Sequence, residues 1–67
     1  MKNYRFEVFD TYKVKVYDEK QDHFIPEASS NSEKEAVEIA KAIHAETGKR
    51  VRVHDSAAQA YAIIFEI

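Results

Sequence analysis

Ser32-Glu33-Lys34-Glu35-Ala36-Val37-Glu38-Ile39-Ala40-Lys41-Ala42-Ile43-His44-Ala45-Glu46-Thr47-Gly48 decides the fold, because it carries helical periodicity and both of its ends are marked. Ser32 followed three residues later by Glu35 fits a capping box, in which hydroxyl and carboxylate satisfy amides left over at a helix start. Ala36, Val37, Ile39, Ala40 and Ile43 form one apolar stripe, with Lys34, Glu35, Glu38, Lys41 and Glu46 largely off it. Gly48 stands where a left-handed residue ends a helix. A helix over Glu33–Thr47 with a single apolar stripe needs an apolar surface to lie on, and the flanking segments offer one in β form.

On the N-terminal side, Ser29-Ser30-Asn31 reads with Ser32 as helix-start sequence, and His23-Phe24-Ile25-Pro26-Glu27-Ala28 reads as a short strand. Pro26 has no amide to donate to a ladder, so this strand belongs at an edge. Asp18 to Asp22 is a polar connection. Before it, Tyr4, Phe6, Val8, Tyr12, Val14 and Val16 alternate with Arg5, Glu7, Lys13 and Lys15, which is β patterning. One unbroken strand over Tyr4–Tyr17 would span roughly 47 Å at about 3.3 Å per residue, too long for so small a domain. A reversal near Asp10 is expected, with a three-residue connection Phe9–Thr11 pairing Val8 with Tyr12, Phe6 with Val14 and Tyr4 with Val16. A two-residue turn would mix apolar and charged residues on one face. The segment lacks a turn glycine, so a single bulged strand is the alternative. In the next strand, Val16 is expected to face Phe24 and Val14 to face Pro26.

On the C-terminal side, Val51 and Val53 alternate with Arg50 and Arg52, Asp55 to Gln59 forms a connection, and Ala60–Ile67 reads as the last strand. Pairing Val53 with Tyr61 and Val51 with Ile63 keeps one face apolar. The fold class expected is therefore α+β: a single amphipathic helix packed on one face of a four- or five-stranded, mainly antiparallel sheet, in the order β-β-(β)-α-β-β. This hairpin, helix, hairpin order resembles that of many small bacterial and phage domains, and no motif in the chain marks a named family.

Size and composition bound the rest. A chain of 67 residues forms one domain and hides only about 60% of the surface its unfolded form exposes. With 45% apolar and 33% charged residues, and one Gly and one Pro, it has the profile of an ordered chain. It has no Cys, so disulfides, thiolate metal ligands and thiol nucleophiles are excluded. Met1-Lys2-Asn3 runs straight into strand-like sequence without a leader, and there is no apolar run near membrane-spanning length, so the expectation is a cytoplasmic protein without membrane association. The net charge of −2 is neither the basic footprint of a typical nucleic-acid binder nor strongly acidic.

No catalytic, cofactor or metal signature emerges, and enzyme activity and a small-molecule substrate are not expected. His44 sits on the helix flank, where a partly buried structural histidine suffices. His23 beside Asp22 and His54 beside Asp55 lie at strand ends and would build a metal site only by meeting in space. Ser29, Ser30 and Ser32 are explained by the helix start and Ser56 by a turn. Gly48 is the only glycine, which excludes a glycine-rich phosphate cradle.

The segment Ala60-Tyr61-Ala62-Ile63-Ile64-Phe65-Glu66-Ile67 is apolar on both parities, which fits a strand covered on both faces, whereas one helix covers only one. If Ile63 and Phe65 face the helix, Ala62 and Ile64 face away and need other cover. The leading functional expectation is a non-enzymatic protein-interaction module, a homodimer or a partner-binding domain, using a helix-free face of Phe9, Tyr17, Ile25, Arg50, Arg52, Ala62 and Ile64. The second is a nucleic-acid-binding domain using the same face through Lys13, Lys15, Arg50 and Arg52, since sheets that interleave cations and aromatics stack bases and hold phosphates.

Overall fold

A computed structural model of the chain describes residues 4–57 and 62–67. Along the chain run β1 (Tyr12–Asp18), β2 (His23–Ser30), α1 (Glu33–Thr47), β3 (Val51–Asp55) and β4 (Ile63–Glu66). The strands form one antiparallel sheet in the order β2-β1-β3-β4, and α1 packs on one of its faces, as the patterning predicts.

The helix has the predicted limits because its signals are local. Ser32 Oγ accepts the Glu35 amide at 3.2 Å. Gly48 ends the helix at φ 71°, and its amide donates to His44 O at 2.8 Å. Ala36, Ala40 and Ile43 from the stripe are buried against Val14, Val16, Ala28, Val51 and Val53, with Tyr4, Tyr12, Val37, Ile39 and Phe65 packed around them. The Asp18–Asp22 connection also forms as read. The Asp22 amide donates to Asp18 O at 2.8 Å, the Lys20 amide to Asp18 Oδ1 at 3.0 Å, and Asp22 takes φ 55°, a conformation aspartate tolerates better than most residues.

Three expectations are corrected. Tyr4–Val8 does not pair with β1, because both edges of β1 are taken, by β2 on one side and β3 on the other. The segment instead straps the end of β2. Arg5 O accepts the Ser29 amide at 2.9 Å, the Glu7 amide donates to Ser29 Oγ at 2.6 Å, and Ser29 Oγ lies 2.9 Å from Glu7 O and 3.0 Å from Asp10 Oδ2. Asp10, only 5% exposed, is matched by Arg5 Nη1 at 3.0 Å, as a buried carboxylate requires. Ser29 and Ser30 are accordingly the last residues of β2 and not helix-start residues, and both are buried. Tyr4 still packs on the core, while Phe6 and Val8, read as inward-facing, are exposed.

The second correction concerns β1 and β2. Val14 faces Ala28 and Val16 faces Ile25, with Glu27 skipped as a bulge between Val14↔Ala28 and Lys15↔Pro26. Phe24 and Pro26 therefore lie opposite Tyr17 and Lys15, and not opposite Val16 and Val14. The third concerns the last strand. Val53 pairs with Phe65 and His54 with Ile63, while Val51 and Ile67 exchange backbone hydrogen bonds of 2.9 and 3.0 Å. Ile64 is the extra residue of a second bulge. Ala60 and Tyr61 of the expected strand, and Ala58 and Gln59 of the connection before it, lie outside the described residues.

Candidate functional site

The face of the sheet opposite α1 has no helix over it, and alternation decides what it carries. With Val14, Val16, Val51 and Val53 turned to the helix, their neighbours Lys13, Lys15, Tyr17, Arg52 and His54 turn the other way. Because β1 is central, each of its residues has a neighbour on both sides. Lys13 lies between Ser29 and His54, and Lys15 between Pro26 and Arg52. Tyr17 lies opposite Phe24 and donates its amide to Arg50 O at 2.9 Å. Glu66 extends the Lys15 row and Ile63 the Lys13 row.

The aromatics and cations interleave. The Phe24 ring meets Tyr17 edge-on, with centroids 5.3 Å apart. The Arg52 guanidinium carbon lies 4.0 Å from the Phe24 centroid, and that of Arg50 lies 5.4 Å from Phe24 and 5.8 Å from Tyr17. Lys13 Nζ stands 5.3 Å from the Phe6 centroid, so the N-terminal strap brings one more ring to this side. A guanidinium attracted to a ring in this way keeps N–H donors with which to bind an anion.

Glu66 is the one strand carboxylate that the register sets among these cations. Its Oε2 accepts from Arg50 Nη2 at 2.8 Å and from Arg52 Nε at 2.9 Å. Those two bonds, Arg52's first, hold its pKa below the ordinary glutamate range. At the rim, the Tyr17 hydroxyl donates to the Asp22 carboxylate, which holds the tyrosine above its ordinary range. The helix carries the opposite charge pattern, with Glu33, Glu35, Glu38 and Glu46 against Lys34 and Lys41.

Of the residues expected on this face, Tyr17, Arg50, Arg52, Lys13 and Lys15 are together on it. The others are dispersed. Phe9 sits in a turn and is 91% exposed, and Ile25 lies opposite Val16, on the helix side. Ala62 is exposed where its carbonyl accepts the Asp55 amide. Ile64 is the bulge residue of an edge strand and is 36% exposed. The same bulge breaks the parity that placed Ile63 with Phe65, since Phe65 packs on the core and Ile63, 47% exposed, lies beside His54. Sequence reasoning missed Phe24, Glu66 and Phe6 as members of the open face. Phe24 depends on the Glu27 bulge and Phe6 on where the strap lies, while Glu66 shares the outward parity read for Ala62 and Ile64 and was missed because its partner Arg52 follows from the β3–β4 register.

His23 and His54 line one shallow concavity with Lys15, Phe24, Arg50 and Arg52. Among the described residues, no group of three or more His, Cys, Asp or Glu is arranged to hold a metal ion, and no helix is long and apolar enough to cross a membrane. His44 Nδ1 lies 2.8 Å from Lys49 O, a contact that ties the helix end to the start of β3. No protein family, curated protein or solved structure matches the chain.

Proposed function

We propose that this chain is a non-enzymatic module that binds a nucleic-acid strand on the open sheet face. The observation that carries this reading is the convergence of Lys13, Lys15, Arg50 and Arg52 with the rings of Phe24, Tyr17 and Phe6 on a face that no helix covers, the N-terminal strap reaching only its Lys13 end, where Lys13 Nζ donates to Glu7 O at 2.6 Å. Cations supply the sequence-independent attraction to phosphates, and rings and guanidinium planes supply stacking that tolerates any base. The acidic helix on the opposite face orients the approach and accounts for a binding surface of this kind in a chain of net charge −2. Fluorescence anisotropy with single-stranded DNA and RNA oligonucleotides tests it. Affinity is expected to fall steeply between about 50 and 200 mM salt, by a log–log slope of about 0.7 for each phosphate contacted. No binding at the low-salt end rejects the reading.

A second reading, self-association, is favoured by a different observation. β4 pairs only with β3 among the described residues and carries exposed Ile63 and Ile64, with Ile67 exposed just beyond its end. An edge strand of this kind is a template for pairing with a second copy. Light scattering on the eluted protein is expected to give twice the chain mass for the wild type and the single-chain mass for Ile64→Glu. A strictly monomeric wild type removes this reading and leaves the first intact.

A further inference from the structure

We infer that the Arg50–Arg52 fork is the seat of one phosphate of the bound strand, and that the Glu66 side chain occupying it is a built-in competitor displaced on binding. This inference rests on the reading of the open face as a nucleic-acid surface and adds to it a location and a gate.

The geometry points to this pair. Arg50 Nη2 and Arg52 Nε donate to one and the same oxygen, Glu66 Oε2, at 2.8 and 2.9 Å. Two guanidinium groups converging on one anionic oxygen form the arrangement that phosphate oxygens occupy in arginine-lined sites. The fork is held in shape by a ring, since Phe24 lies under both guanidinium groups, at 4.0 Å from Arg52 and 5.4 Å from Arg50. Lys15 is next to Arg52 in the register, and Lys13 lies further along the same strand. A strand seated at the fork thus meets cations in succession.

The competitor is positioned to leave. Glu66 lies on the edge strand, with its side chain 39% exposed and its two arginine partners 58% and 28% exposed. Ion pairs of that exposure are screened and weak. A phosphodiester brings its own charge together with neighbouring phosphates that engage the lysines, which a single carboxylate cannot match. The carboxylate stays ionised well below neutral pH, so it competes throughout the physiological range.

The experiment compares wild type, Glu66→Gln and the double variant Arg50→Ala/Arg52→Ala in anisotropy titrations with a fluorescein-labelled single-stranded oligonucleotide, each first shown folded by its circular-dichroism melt. Glutamine keeps the shape of the side chain and removes its charge. At about 50 mM salt Glu66→Gln is expected to bind roughly five- to tenfold tighter than wild type, and the double variant to lose a larger factor together with about 0.7 of the salt slope, the share of one phosphate. In parallel, the Arg52 Nε–H resonance of the wild type is expected to shift as oligonucleotide is added. If wild type binds but Glu66→Gln binds no tighter, or the Arg52 resonance stays put at saturation, the gate and seat are wrong while the binding face stands. If neither wild type nor Glu66→Gln binds at low salt, the binding face itself is wrong.

Discussion

The two faces of the sheet are built from the same strands and share no chemistry. On the helix side, Val14, Val16, Val51 and Val53 are buried almost completely under Ala36, Ala40 and Ile43. On the open side, one residue along in each case, stand Lys13, Lys15, Arg52 and His54. The period-two geometry of a strand thus lets one short segment specify the fold with every second residue and present the others on the open face. Substitutions on one face should act on stability and on the other on affinity, and adjacent residues of β1 give the sharpest contrast.

The largest effect is expected from Val14→Asp. It places a charge where Val14 is fully buried between Ala28 and Val53, at a cost of several kcal/mol against a total stability of about 5 kcal/mol for so small a domain. Far-UV circular dichroism should show an unfolded chain, and a folded Val14→Asp would break the contrast. Its neighbour is expected to behave differently. Lys15→Glu should melt within a few degrees of wild type yet lose about tenfold or more in oligonucleotide affinity at low salt, through the lost phosphate contact and the new repulsion. Loss of the fold by Lys15→Glu would show that the open face also carries stability.

A smaller effect is expected where the strap meets the sheet. Ser29→Ala removes the hydroxyl that accepts the Glu7 amide and lies between Glu7 O and Asp10 Oδ2. It should cost about 1–3 kcal/mol in urea unfolding by leaving buried polar groups unmatched. The smallest concerns pH. Glu66 has a lowered pKa in the folded chain, so its contribution is present above the ordinary glutamate pKa and is lost as pH falls through the lower folded value. The melting temperature of the wild type should therefore decline more than that of Glu66→Gln as pH drops below about 4.3. Parallel curves for the two proteins would show that the fork gives Glu66 no net stabilisation.

How much was legible in the sequence depends on the range of each signal. Ser32, Glu35, Gly48 and the stripe from Ala36 to Ile43 act within one or two turns, and the helix forms with the limits they mark. The Asp18–Asp22 connection is equally local. Cross-strand register is not, and here Glu27 and Ile64 each add one unpaired residue without any glycine to announce it. Each bulge shifts the parity of the residues beyond it, so that Phe24 stands opposite Tyr17, and Ile63 and Phe65 part company. Alternation in Tyr4–Val8 correctly signals an extended segment but says nothing about its neighbour. The basic half of the open face was readable from Lys13, Lys15, Arg50 and Arg52, because β1 and β3 carry no bulge between them. Tyr17 was readable by the same parity, whereas Phe24 was hidden behind the Glu27 bulge and Phe6 behind the course of the strap.

The position of β1 also shapes how the chain reaches its final form. Of the four strands the interior strand β1 is made first, and although β2 can zip onto one of its edges at once, the other edge waits until the ribosome has added the whole of α1 and then β3. During that interval the backbone groups of Tyr12–Val16 that later pair with Val51–Asp55 are open to any passing strand. Lys13 and Lys15, spaced along this waiting edge, repel another copy of the same nascent segment, so the two lysines of the open face in the finished domain also guard the unfinished one against its siblings.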